Sequence, residues 1–163
     1  MDTRPADGTS GKIWDMTELT QVWTDYLTVL ERRAPATRAS ILPPKELDLA
    51  SAHQALYSPL LPSMVTWFGL HGGSSPAYHG SPLPRCGLLS LDEAVEETEM
   101  IRDVWQLTHD LDKDPPTGGA AGDVMYTWMN EYVLFADNGS GGGLFHGSTS
   151  WRSEGVCALL GQG

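Results

Sequence analysis

The sequence predicts an α+β fold, a small antiparallel sheet packed by about four helices. Two observations predict it. Apolar residues recur at helical spacing in four separate stretches before Asp110. After Gly122 the texture changes to aromatic and β-branched residues punctuated by glycine-rich turns, as short strands and hairpins prefer. Helices followed by strands, rather than an alternation of the two, is the pattern of an α+β domain.

The first helix is expected over Met16–Arg33. Asp15 and Glu18 can form a capping box at its start. Leu19, Val22, Trp23, Tyr26, Leu27 and Leu30 follow with helical spacing, and Pro35 disfavours helical geometry at Ala34. A second helix is expected over Lys45–Tyr57, after Pro43-Pro44 and before Pro59. His53 lies near its apolar face, with no second ligand one turn away, and reads as a packed or rim histidine. The third, Pro62–Leu70, is the stretch the others must bury. Pro62 suits the first helical position, Met64, Val65, Trp67 and Phe68 are densely apolar, and Gly72 and Gly73 are expected to supply a left-handed cap. The region from Gly72 to Arg85, counted together with the histidines His71 and His79, reads as a loop and Gly87-Leu88-Leu89 as a brief strand.

The fourth helix, Leu91–Leu107, opens on a capping box of Ser90 and Glu93. At about 100° per residue, Ala94, Thr98, Ile101 and Trp105 fall on one side. Asp92, Glu96, Glu99 and Asp103 fall on the other, with Glu93 and Glu97 on a flank. Asp110 to Gly122 is polar and Pro- and Gly-rich, a loop. Tyr132–Ala136 and Leu144–His146 are expected to pair through the Asp137–Gly141 turn, with a third strand near Val156 to Leu160. Trp23, Leu56, Phe68, Ile101, Trp105 and Phe135 should fill the core. Residues 1–12 are polar and expected to be disordered, leaving 13–163 as one domain.

Composition limits the function. A net charge of -11 lacks the Lys and Arg that nucleic acid or anionic lipid requires, and fits a basic protein partner. The N-terminal residues have no apolar signal core and no run is long and apolar enough to span a bilayer, which gives a cytoplasmic expectation. Cys86 and Cys157 lie far apart and form no metal-binding pair; they fit a disulfide or, in a cytoplasmic protein, two reduced thiols. Gly139 to Leu144 lacks the last glycine of a dinucleotide fingerprint and sits between predicted strands. Asp112 and Asp114 lack the glycine of a calcium loop, His109-Asp110 stands alone, and no Gly-x-Ser-x-Gly elbow occurs. No catalytic residue, metal or cofactor is expected.

Several pieces together resemble a known family. Leu42-Pro43-Pro44, a helix, Leu61-Pro62, an apolar helix and Gly72-Gly73 come first. Gly87-Leu88-Leu89-Ser90-Leu91-Asp92-Glu93-Ala94 follows, then Trp128, Phe135-Ala136-Asp137-Asn138-Gly139-Ser140-Gly141 and Gly155-Val156. In order and spacing this set is similar to the Smi/Knr family of the SUKH superfamily, from about Trp14 to Leu160. Two departures stand out: Gly147 falls near the family's usual aspartate, and the family often continues past the last strand, where this chain stops. The resemblance implies an α+β fold without a shared catalytic motif. It also implies a non-enzymatic protein-binding role, as an immunity protein that neutralises a toxin domain, often a nuclease, of a polymorphic toxin system. The alternatives are a regulatory scaffold of the fungal kind and a carboxylate-based hydrolase. On this reading Asp92, Glu93, Glu96, Glu97, Glu99 and Asp103 are the expected partner-binding residues.

Overall fold

In a computed structural model, which describes residues 16–75, 81–108, 132–139, 143–147 and 157–159, the chain is α+β. Among the described residues five helices and four strands run in the order α1 (Met16–Arg33), α2 (Pro35–Ser40), α3 (Leu49–Ala55), α4 (Pro62–Leu70), β1 (Gly87–Leu88), α5 (Leu91–Thr108), β2 (Tyr132–Asp137), β3 (Gly143–Gly147) and β4 (Cys157–Leu159). The strands form one antiparallel sheet in the order β1-β2-β3-β4. The expected hairpin is present: Asp137 faces Gly143, and Asp137 Oδ2 accepts from the Gly139 N–H at 2.9 Å. Asp15, the segments 1–12 and 110–122, and the residues Asp112, Asp114, His109 and Asp110 lie outside the described residues.

Three expectations about helices need correction. Pro35 ends α1 and also starts a short helix that the sequence reading lacked. Ala34 sits at φ -147°, ψ 65°, so the proline restricts its neighbour and then occupies the first helical position of α2. The second expected helix, Lys45–Tyr57, shrinks to Leu49–Ala55, because Asp48 caps it: its carboxylate accepts from the Ser51 N–H at 3.0 Å and the Ser51 hydroxyl at 2.7 Å. Finally, α4 does not end on a left-handed pair of glycines. His71 leaves the helix fully extended, and only Gly73 is left-handed, at φ 90°.

The two glycines have different tasks. A Cβ on Gly72 would stand 2.3 Å from the Pro43 carbonyl oxygen, so this position is small to let two backbones meet. They pair there: Leu42 N–H donates to Gly73 O and Gly72 N–H to Leu42 O, each at 3.0 Å. Ser74 continues the seam on its other side. Its N–H donates to Leu88 O at 2.9 Å, and its hydroxyl accepts from the Leu88 N–H at 2.8 Å. The exit of α4 is therefore held between the Ile41–Leu42 segment and β1.

The core falls into three groups. The largest joins Ala52, Leu56, Leu60, Met64, Phe68, Cys86, Leu91, Ala94, Val133, Phe135 and Ala136. A second gathers Trp23, Leu30, Ile41 and Leu88 where α1 lies on α4. A third is formed by Tyr132, Leu134 and Phe145. Strict alternation along β2 would separate Ala136 from Phe135. The register shift between Leu134 and Ala136 makes Phe135 the extra residue of a bulge, and Ala136 joins the group of Val133 and Phe135. Of the six residues expected in the core, Trp23, Leu56, Phe68 and Phe135 are buried. Ile101 and Trp105 are only partly buried, since they cover the third and smallest group from one side.

Candidate partner interface

α5 carries the six expected binding residues, and its placement is fixed at both ends of its contact with the sheet. The capping box forms as the sequence requires. Glu93 Oε2 accepts from the Ser90 N–H and hydroxyl, each at 2.8 Å, while the Glu93 N–H points at Ser90 Oγ at 3.4 Å. Two turns on, the buried Thr98 hydroxyl accepts from the Leu134 N–H of β2 at 3.0 Å. Ala94 and Leu91 pack into the main core beside it. Thr98→Val keeps the shape but removes the acceptor, leaving a buried N–H unpaired. It should cost about 1–3 kcal/mol, measured as a shift of the urea midpoint at unchanged slope.

The six carboxylates then divide by environment. Asp92, Glu96 and Asp103 are exposed and, among the described residues, form no ion pair or side-chain hydrogen bond. Glu93 is exposed but committed to the cap. Glu97 is half-buried. Burial pushes its pKa up, and the nearby charges of Asp137, Glu96 and Glu93 push in the same direction. Glu99 is paired at 3.5 Å with Arg102, a buried cation that the sequence reading did not single out. The Arg102 guanidinium also lies 4.8 Å from the Tyr57 ring centroid and approaches the Ala55 carbonyl oxygen at 3.5 Å. Arg102 thereby ties α5 to the end of α3. Its signal in the sequence was a Glu-Arg pair at i, i+3.

The acid ridge is thus narrower than the sequence suggested. Its outward members are Asp92, Glu96 and Asp103, about 16 Å from end to end along the helix at 1.5 Å per residue. Beside it Met100, Val104 and Leu107 are exposed, an apolar feature the sequence reading passed over.

Elsewhere, the Cys86 thiol is free, buried and raised in pKa by burial and by the charge of Asp137. His53 is exposed on α3. His71, expected in a loop, is instead buried against Trp23 and Trp67, with ring centroids 5.4 and 4.8 Å away. Among the described residues no group of three His, Cys, Asp or Glu side chains could hold a metal ion, and no helix is long and apolar enough to cross a membrane. No protein-family model and no curated protein matches the chain.

Proposed function

We propose that this protein is a non-enzymatic, cytoplasmic protein-binding module whose outer α5 face docks a basic protein, and that it serves as an immunity protein against a toxin domain. The immunity role follows the resemblance to the Smi/Knr family. The observation that carries the binding role is the row of Asp92, Glu96 and Asp103, exposed and in no ion pair among the described residues, in a chain of net charge -11. Like charges on one helix face repel and cost stability. A basic partner relieves that repulsion and is steered toward the face.

Arg102 decides how the test is built. Reversing Glu99 would strand a buried guanidinium, so the variant is Glu96→Lys with Asp103→Lys. Circular dichroism checks the fold. The test partner is a basic toxin domain, taken from an adjacent gene where that gene encodes one, and association is followed by stopped-flow across a salt series. The double variant should slow association by about tenfold at low salt and flatten its salt dependence. Association and salt dependence equal to those of the unsubstituted protein would remove α5 from the interface.

A further inference from the structure

Met100, Val104 and Leu107 are 52, 54 and 87 % exposed. Their spacing of four and three residues sets them in one stripe. At 100° per residue the stripe covers an arc of about 60° and a length of about 10 Å. Glu96 and Asp103 border it on one side and Glu97, with Asp137 nearby, on the other. Scattered exposed apolar residues need no explanation, but three in register between acid borders form a strip of the kind that meets a partner.

We propose that this stripe is the apolar anchor of the α5 docking face. Its occupant is an amphipathic helix of a basic protein, with apolar residues at i, i+3 or i+4 and i+7 and Lys or Arg on both flanks. The inference rests on the reading that α5 docks a basic partner. Charge complementarity selects the occupant. The convex ridge of an α-helix accepts another helix laid along it, and flanking cations would reach Glu96 and Asp103 on one side and Glu97 on the other. A second copy of this chain is a poor occupant. A two-fold contact would bring the acid borders of the two copies together in a chain of net charge -11.

The probe is a labelled 18-residue helical peptide, Leu at the apolar positions and Lys at the rest, titrated against the full chain by fluorescence anisotropy. A control peptide carries Gln in place of Leu. The Met100→Gln, Val104→Gln, Leu107→Gln triple variant should weaken binding by about tenfold or more while keeping the salt dependence. The control peptide should not distinguish it from the unsubstituted protein. If the triple variant fails to fold, Leu107→Gln alone takes its place. Equal binding by the triple variant, alongside loss of salt dependence in Glu96→Lys/Asp103→Lys, would overturn the anchor and leave the acidic docking face standing. No binding of the Leu/Lys peptide to the unsubstituted protein would overturn the anchor as well, while the toxin salt series judges the docking face separately. A concentration-dependent dimer in sedimentation, lost in the triple variant, would give the stripe to a second copy and overturn the proposal.

Discussion

Phe68→Ala should lower the stability of this protein by about 3–5 kcal/mol, read as a shift of the guanidinium midpoint. Phe68 has 0 % exposure and lies in the largest core group, where α3, α4, α5 and β2 meet. Its removal loses both the transfer free energy of the ring and the contacts of a cavity whose walls come from four elements. Such walls cannot close without moving a helix away from the sheet. Since small domains are stable by only about 5–15 kcal/mol, the variant should be partly unfolded at 37 °C. If it does not fold at all, Phe68→Leu grades the same effect. A midpoint shift below about 1 kcal/mol would show that α4 does not anchor the core.

Acid should destabilise the protein through His71. The ring is buried, and its Nδ1 accepts from the Gly73 N–H at 3.1 Å, so the neutral tautomer carries its proton on Nε2. That Nε2, like the indole Nε1 of Trp67, finds no hydrogen-bond partner among the described residues. Burial pushes the His71 pKa down from 6.5 to about 4. The unfolded chain therefore binds a proton that the folded chain refuses. Stability from this group is complete above pH 6.5 and is lost as pH falls from there toward 4, by about 3 kcal/mol in all. Between pH 7 and pH 4.5 the loss should be about 2.5 kcal/mol by urea unfolding. Glu97, raised in the folded state, works weakly in the opposite direction over the acid range. The control is His71→Gln, which keeps an acceptor but cannot titrate. Its stability should be much flatter between these pH values, and an unchanged slope would assign the acid sensitivity to another group.

Much of the fold was legible because its signals are local. Pro62 and a dense apolar run defined α4, Ser90 and Glu93 defined the start of α5, and the Asp137-Asn138-Gly139 turn defined the β2–β3 hairpin. What escaped depended on distant partners. Gly72 is small because Pro43 crosses it, a contact no local pattern records. His71 looked like a loop residue because burial by Trp23, from α1, arises only in three dimensions. Asp92, Glu96 and Asp103 of α5 lie outward as their spacing suggested, but the inequality among the six acid residues was hidden. Glu99 is taken by Arg102 and Glu93 by the cap, leaving Asp92, Glu96 and Asp103 outward. The stripe of Met100, Val104 and Leu107 was legible in principle. Its 4-3 spacing lies about 120° around the helix from the Ala94, Thr98, Ile101 and Trp105 line, the longer periodic signal.

The shortness of β1 has a consequence for aggregation. β1 is only two residues long, and among the described residues no strand lies beside Val133 and Leu134 of β2 on that side. An open strand edge is a template on which another chain can add a strand. Here α5 closes it: the Leu134 N–H, which a recruited strand would need, is already held by the Thr98 hydroxyl. One threonine on a helix does what a longer first strand would otherwise do. A strand added on this side would have to displace that hydroxyl from the Leu134 N–H. Loss of that hydroxyl would expose a templating edge as well as an unpaired donor.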